Sequence, residues 1–403
     1  MTGRIRRATG VRAGFAPGVQ DIRGTTYGST PNACLRTKTR ITEGVHRVTT
    51  MAKIASSATI AAALGLAVVG CSSSSGGNSA AAGNHGCKTA AEASSVAALP
   101  GYKVCLFAGA TTTMNHPDDI QVIGSKVWIG WQNQSAKDGS TSVTSTIAEY
   151  TTAGKLVKTW SVIGHADGLH MDPATKVMWV TANEDAKPRL YLINPSSSSV
   201  TTVTVPPTPH GGGLDDLRFV NGTAYVSASN PTLTAAGKNK GPALLKMTVT
   251  GTAAHLSPAL MASAKATTLI PPVSTVTLNL TDPDSQQIDP QGDLMLNSQA
   301  DQQLVFVHGI GTAAQKVSVL AIGTQVDDVV WPSSANGCLL VADNSSGVYS
   351  VCSSIWVPGT VIVDSANDST VINFVGNLNP GTGQITPTIV GFGNPHGMAF
   401  IPK

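Results

Sequence analysis

An acidic opening recurs along this chain, and the residues after it keep one pattern each time. The clearest copy runs from His165 to Asp185, HADGLHMDPATKVMWVTANED. Asp167 opens it, Leu169 and Met171 alternate with polar neighbours, Asp172-Pro173 starts a turn, and Val177 to Ala182 is a β-rich run that stops at Asn183. Aligned on Asp167, further copies open at Asp118, Asp215, Asp284 and Asp327, and a last one opens at His396 and runs out at the C-terminus. The successive spacings are 49, 48, 69, 43 and 69 residues. A unit of about 45 residues with two insertions accommodates four short strands and their turns, the size of one propeller blade.

Third strands follow in several copies: Arg189 to Asn194, Leu244 to Val249, Gln303 to Val307 and Gly347 to Val351. For the copy at Asp327, the second strand is read at Cys338 to Val341. The fold expected is therefore all-β, a β-propeller of six blades, with five as the alternative because the sixth copy is thin. A β-sandwich of similar strands does not produce one acidic anchor at each of five openings. Because the last copy is truncated, Lys103 to Ala108 (KVCLFA) is the candidate to complete its sheet from the N-terminal side. Such closure removes free sheet edges.

The first seventy residues read differently. Residues 1–50 are rich in Arg and carry no sustained apolar period, which marks them as an upstream extension ahead of a start at Met51. Residues 51–70 form an export signal: Lys53, then the apolar run Ile54 to Val69, sixteen residues long and too short to span a bilayer. Its end, Val68-Val69-Gly70-Cys71, resembles the bacterial lipobox. That resemblance implies a lipid-bearing Cys71, a flexible tether over residues 71–86, and a domain over residues 87–403 held on the outer side of a bacterial cell-envelope membrane. Residues 1–70 hold ten Lys/Arg and two Asp/Glu; the remainder holds sixteen against twenty-one. The mature chain is thus mildly acidic, which argues against nucleic acid as a partner.

Export permits disulfides. Cys338 and Cys352 lie on consecutive expected strands, symmetrically about a turn near Ser345, and opposed hairpin residues come within disulfide reach. Cys87 and Cys105 would then pair and pin the N-terminal segment. Four free buried thiols are the alternative. No CxxC occurs, so a cysteine-ligated zinc is not expected, and no GxSxG occurs, so a serine-hydrolase elbow is not supported.

The openings carry the candidate chemistry. Innermost propeller strands line a central channel, so Asp118, Asp167, Asp215, Asp284, Asp327 and His396 should form one ring at one mouth, with His116, His165 and His210 just upstream. Converging carboxylates must be protonated, paired or bridged by a cation. Oxygen-only sets suit Ca²⁺, and imidazole shifts the preference toward Zn²⁺. The competing explanation is that each Asp caps local turn amides.

Ala342-Asp343-Asn344 with Val348-Tyr349-Ser350-Val351, and the closing Pro395-His396-Gly397-Met398-Ala399-Phe400, resemble the rhythm of NHL-repeat and gluconolactonase-like propellers. That resemblance implies a divalent metal in the channel, held by acidic and Asn residues, and lactone hydrolysis. The Glu expected at the first blade opening is absent; His116-Pro117-Asp118-Asp119 stands there. Two functions are therefore carried forward. One is an envelope-anchored binding or scaffold propeller, with an envelope protein, a cation or a small polar ligand as partner. The other is a metal-assisted lactonase or esterase.

Overall fold

The computed structural model describes residues 95–365 and 373–403. The export signal, Cys71, the tether and Cys87 lie outside the described residues. Within them every regular element is a β-strand, twenty-seven in all, grouped into six sheets. Among the described residues no helix is long and apolar enough to cross a membrane.

The six sheets are the blades of a propeller. Blade 1 is Pro117–Ile123, Lys126–Trp131, Thr144–Thr151 and Leu156–Ile163. Blade 2 is Ala166–Met171, Met178–Ala182, Arg189–Ile193 and Val200–Val203. Blade 3 is Leu217–Val220, Thr223–Ser227, Pro242–Thr250 and Ala253–Met261. Blade 4 is Pro283–Ile288, Leu294–Ser298, Gln303–His308 and Lys316–Ala321. The 69-residue spacing ahead of it is a true insertion. Two extra strands, Lys265–Thr268 and Thr275–Thr277, extend blade 4 outward, the first of them parallel to Lys316–Ala321.

The second 69-residue spacing is not an insertion. After Val329–Val330, the innermost strand of blade 5, the chain builds Gly337–Asp343 and Gly347–Ser353, which belong to blade 6. It then returns for Val361–Ser365, Phe374–Asn379 and Gln384–Val390 of blade 5, and ends as Pro395–Pro402, the innermost strand of blade 6. This corrects the expectation that the Cys338 and Gly347 strands complete the Asp327 unit. A middle hairpin buries both faces whichever innermost strand it joins, and two such strands flank it here. Tyr102–Gly109 closes blade 6 from the N-terminal side, as its outermost strand and not as the neighbour of the last one. Ala97–Ala98 adds a fifth strand to blade 5.

The apolar patterning explains why the strands stack radially. Six buried clusters occur, each at the junction of two successive blades. Trp128, Trp160, Leu169 and Val180 pack blades 1 and 2 together, for example, and Leu340, Ala342, Ile129 and Trp131 pack blade 6 on blade 1. Second strands therefore bury both faces: Met178–Ala182 and Leu294–Ser298 are buried at every position. Each fully buried large side chain contributes roughly 1.5–3 kcal/mol. The innermost strands touch in a closed order, blade 6 to 1 to 2 to 3 to 4 to 5 and back to 6.

Cys338 and Cys352 are opposed in the blade 6 hairpin and joined by a disulfide. Cys105 is also disulfide-bonded. A disulfide fits an oxidising, extracytoplasmic compartment.

Candidate functional site

The ring residues share one backbone device. In blade 1, Pro117 pairs with Trp131 and Ile120 with Ile129, so Asp118 and Asp119 together oppose the single residue Gly130. The same two-against-one bulge sets Asp167-Gly168, Asp284-Ser285 and His396-Gly397 against Thr181, Asn297 and Ala342. In blades 3 and 5, Asp215-Asp216 brackets Ser227 and Asp327-Asp328 brackets Asp364 through backbone hydrogen bonds. A bulge re-aims side chains that would otherwise alternate across the sheet. All six anchors, Asp118, Asp167, Asp215, Asp284, Asp327 and His396, consequently line one cavity of ≈ 360 Å³, together with His116 and His165.

His210 is not among the cavity-lining residues. It is buried, and its Nε2–H donates to the Gly213 carbonyl at 2.8 Å. Burial depresses its pKa and keeps the ring neutral. Its position before the strand does not dictate where its ring turns. His116 Nδ1 lies 2.8 Å from Asn344 Oδ1, at the junction of blades 6 and 1.

The paired Asp residues divide two jobs. The second of each pair is structural and reaches into the next blade. Asp119 Oδ2 accepts from the Leu169 N–H at 2.8 Å, Asp216 Oδ2 from the Gln286 N–H at 2.8 Å, and Asp328 Oδ2 from the Met398 N–H at 2.6 Å. Blades 1, 3 and 5 thus staple to blades 2, 4 and 6. The receiving blades carry a small residue beside the anchor. A Cβ on Gly168 would lie 2.5 Å from Asp216 Cα, and one on Gly397 2.4 Å from the Asp118 carbonyl oxygen. The first Asp of each pair does no capping, and neither do Asp167 and Asp284: among the described residues no backbone N–H donates to the side chain of Asp118, Asp167, Asp215, Asp284 or Asp327.

The ring carboxylates fall into three groups. In one, His396 Nδ1 sits 2.6 Å from Asp327 and 3.1 Å from Asp118. Burial opposes the imidazolium, yet the two carboxylates hold its pKa well above the ordinary value. Against its own burial, the His396 charge draws Asp327 below the ordinary carboxylate value, while burial leaves Asp118 at about 6. In the second group, Lys137 Nζ lies 2.7 Å from Glu184 Oε1, and His165 Nε2 lies 3.4 Å from Asp167 Oδ1 and 4.0 Å from Glu184. Burial lowers His165 to about 4, so its imidazole is neutral. Burial, then the Glu184 charge, holds Asp167 well above the carboxylate range. The third group is Asp215 with Asp284, two carboxyls hydrogen-bonded to one another and raised mainly by burial.

Below the ring, Arg218 Nη1 donates to Asp216 Oδ1 at 2.5 Å. Arg218 lines both this cavity and a second one opening among Trp331, Met398 and Phe400, so its side chain stands between the two mouths. Burial raises Asp216 to about 7 even with that guanidinium beside it.

Glu184, Lys137 and Arg218 are not expected from the repeat. Glu184 directly follows Asn183 at the end of the Met178–Ala182 strand and is held by a Gly213 N–H bond to its carbonyl. The acidic run Glu184-Asp185 just past a second strand is the only hint in the sequence.

Among the described residues, three sets of side chains bring one ligand atom each within 4.8 Å of one another: Asp118, Asp327 and His396; His165, Asp167 and Glu184; and Glu184, Asp215 and Asp284. The first is neutralised by its own imidazolium. The second fits a divalent ion. Asp167 Oδ2 and His165 Nε2 are buried without a hydrogen-bond partner, and the neutral imidazole has a lone pair to give.

The chain is a six-bladed β-propeller. No protein-family model and no curated protein matches it. Solved structures with a similar fold include a protein provisionally assigned as a gluconolactonase, at 10% identity over 74% of this chain and 84% of that one, with a TM-score of 0.42. A protein of unknown function from Bacteroides caccae aligns at 7% identity over 71% and 87%, with a TM-score of 0.43. A catalytically inactive virginiamycin B lyase from Staphylococcus aureus, solved with quinupristin, aligns at 10% identity over 74% and 96%, with a TM-score of 0.40. At such identities the likeness concerns fold alone.

Proposed function

We propose that this is an exported binding propeller that holds a divalent cation at the acidic mouth, on His165, Asp167 and Glu184. One observation carries the reading: the ring carboxylates are not used as turn caps, and two ligand-type atoms, Asp167 Oδ2 and His165 Nε2, are buried with no partner. A buried polar atom without a partner costs about 1–3 kcal/mol, and coordination removes that cost. The mixed nitrogen and oxygen set favours Zn²⁺ or a similar ion over Mg²⁺. The chain is held to a bacterial envelope membrane by lipid on Cys71, and the cavity of ≈ 360 Å³ leaves room for a small polar ligand beside the ion. Metal analysis of the purified protein, with Asp167→Asn as control, tests the cation. Mass spectrometry of the native N-terminus tests the lipid.

Metal-assisted lactone or ester hydrolysis is the second reading. What favours it is the Asp215–Asp284 pair: two hydrogen-bonded carboxyls beside the cation position form an acid–base couple that can move a proton to or from a water or leaving group. A bound ion would polarise the carbonyl. A panel of lactones and esters separates this reading from simple binding.

A further inference from the structure

The carboxylates of the mouth do not converge on one point, and the chain's own nitrogen cations serve two of their three groups. His396 lies between Asp118 and Asp327, and Lys137 lies on Glu184. Asp215 and Asp284 have no such partner. Among the described residues no nitrogen or hydroxyl donor reaches either carboxylate, and Asp215, only 6% exposed, meets another carboxylate instead. The pair is also fixed in place. The Thr181 hydroxyl on blade 2 donates to the Asp215 carbonyl, and the Ser227 hydroxyl on blade 3 donates to the Asp284 carbonyl. With no cation bound the two carboxyls share a proton, and Asp284 meets Asp327 as well; ionised together in this buried site, they need something positive between them.

Glu184 connects this pair to the His165–Asp167 position. A carboxylate oxygen of Glu184 comes within 4.8 Å of ligand atoms of His165 and Asp167 on one side, and within 4.8 Å of ligand oxygens of Asp215 and Asp284 on the other. We infer that the mouth is a two-cation centre, with Glu184 as the carboxylate shared between a His165–Asp167 position and an Asp215–Asp284 position. The inference rests on the proposed cation reading for the first position and adds the second.

The two positions differ in chemistry. The first mixes imidazole and carboxylate and suits Zn²⁺; the second is oxygen only and suits Ca²⁺ or Mg²⁺. Charge supports two ions over one. Ionised Asp167, Glu184, Asp215 and Asp284 carry four negative charges, which two divalent ions neutralise without help from Lys137. The Lys137 ammonium, on a side chain 53% exposed, then occupies Glu184 only while the centre is empty. Loading should release it to solvent, and Lys137→Gln should strengthen cation binding.

The test is the stoichiometry of ion binding to the purified, chelator-treated protein, by isothermal titration with Zn²⁺ followed by Ca²⁺. Two ions per chain are expected. Asp284→Asn should remove the Ca²⁺ event and leave the Zn²⁺ event. Asp167→Asn should do the reverse. Glu184→Gln should weaken both by about tenfold or more, since even outer-sphere partners of metal ligands are worth that much. One ion per chain in the wild type, unaffected by Asp284→Asn, overturns the two-cation centre and leaves the single-ion reading standing. No ion bound overturns both. The wild-type count decides the matter even if a variant fails to fold.

Discussion

The carboxylate of Asp119 on blade 1 accepts a hydrogen bond from the backbone N–H of Leu169 on blade 2, at 2.8 Å. With its counterparts Asp216–Gln286 and Asp328–Met398, it turns six separate sheets into three stapled pairs around the channel. The staples leave the neighbouring anchors Asp118, Asp215 and Asp327 free for the mouth.

Removing a staple and removing an anchor should therefore have opposite effects. Asp119→Ala leaves the buried Leu169 N–H unpaired and should destabilise by about 1–3 kcal/mol. Asp167→Asn removes a buried, raised carboxyl and should leave the metal-free protein as stable or more so. Chemical denaturation of the two variants measures the difference. Equal losses would mean that the anchors are structural as well.

The small residues beside the anchors are expected to be intolerant. A methyl on Gly168 or Gly397 meets backbone atoms of the next blade, blade 3 for Gly168 and blade 1 for Gly397, across the junctions that these staples do not join. Gly168→Ala and Gly397→Ala should each cost about 1–3 kcal/mol, in the range of overpacked core sites. Gly222 is the control: it has nothing within 4 Å of an added Cβ, although its positive φ adds some strain of its own.

Stability of the metal-free protein should rise as pH falls from about 8 to about 5. Burial raises Asp118 to about 6 and Asp216 to about 7, and holds Asp167, Asp215 and Asp284 well above 3.8. A carboxyl with a folded pKa above its unfolded one binds more protons when folded, so stability increases as pH drops through the folded pKa and levels off near the unfolded one. The buried histidines His165, His170 and His210, lowered by burial, oppose this as pH falls below about 6.5, but they are outnumbered by the raised carboxyls. His396 acts in the same direction as the carboxyls. Its raised pKa contributes stability that is complete below about 6.5 and lost as pH climbs through the folded value. Asp327, lowered, loses its contribution only as pH falls below the ordinary carboxylate range. Thermal melts across pH in chelator check this, and a melting temperature that falls steadily from pH 8 to 5 would be the wrong sign.

Reduction should loosen blade 6. The Cys338–Cys352 bond closes a hairpin with a sequence separation of 14, worth about 3 kcal/mol in the chain-entropy model. A Cys338→Ala, Cys352→Ala double variant should show that loss in denaturant melts. An unchanged midpoint would mean that the hairpin is held by packing alone.

The anchors were legible in the sequence because the same two-against-one device repeats in all six blades and carries Asp at its first position in five of them and His396 in the sixth. The Cys338–Cys352 pairing was legible because a hairpin brings opposed residues together locally. The exchange of strands between blades 5 and 6 was not, since Gly337–Asp343 is buried along its whole length, like Met178–Ala182 and Leu294–Ser298, and that pattern is the same whichever innermost strand it joins. Glu184, Lys137 and Arg218 escaped for a related reason. Each occurs once, on a turn, a loop or a later strand position, and only closure of the ring brings it to the channel. His210 shared the upstream position of His116 and His165, but its ring turns back to the Gly213 carbonyl.

The central claim, that the mouth holds a cation on His165, Asp167 and Glu184 while the anchors do not cap turns, is tested most directly by anomalous diffraction at the zinc edge from crystals equilibrated with Zn²⁺. An anomalous peak within about 2.3 Å of both Asp167 Oδ2 and His165 Nε2 is the expected result. A cavity without a peak, with the Asp167 carboxylate turned onto a local backbone N–H, would contradict it.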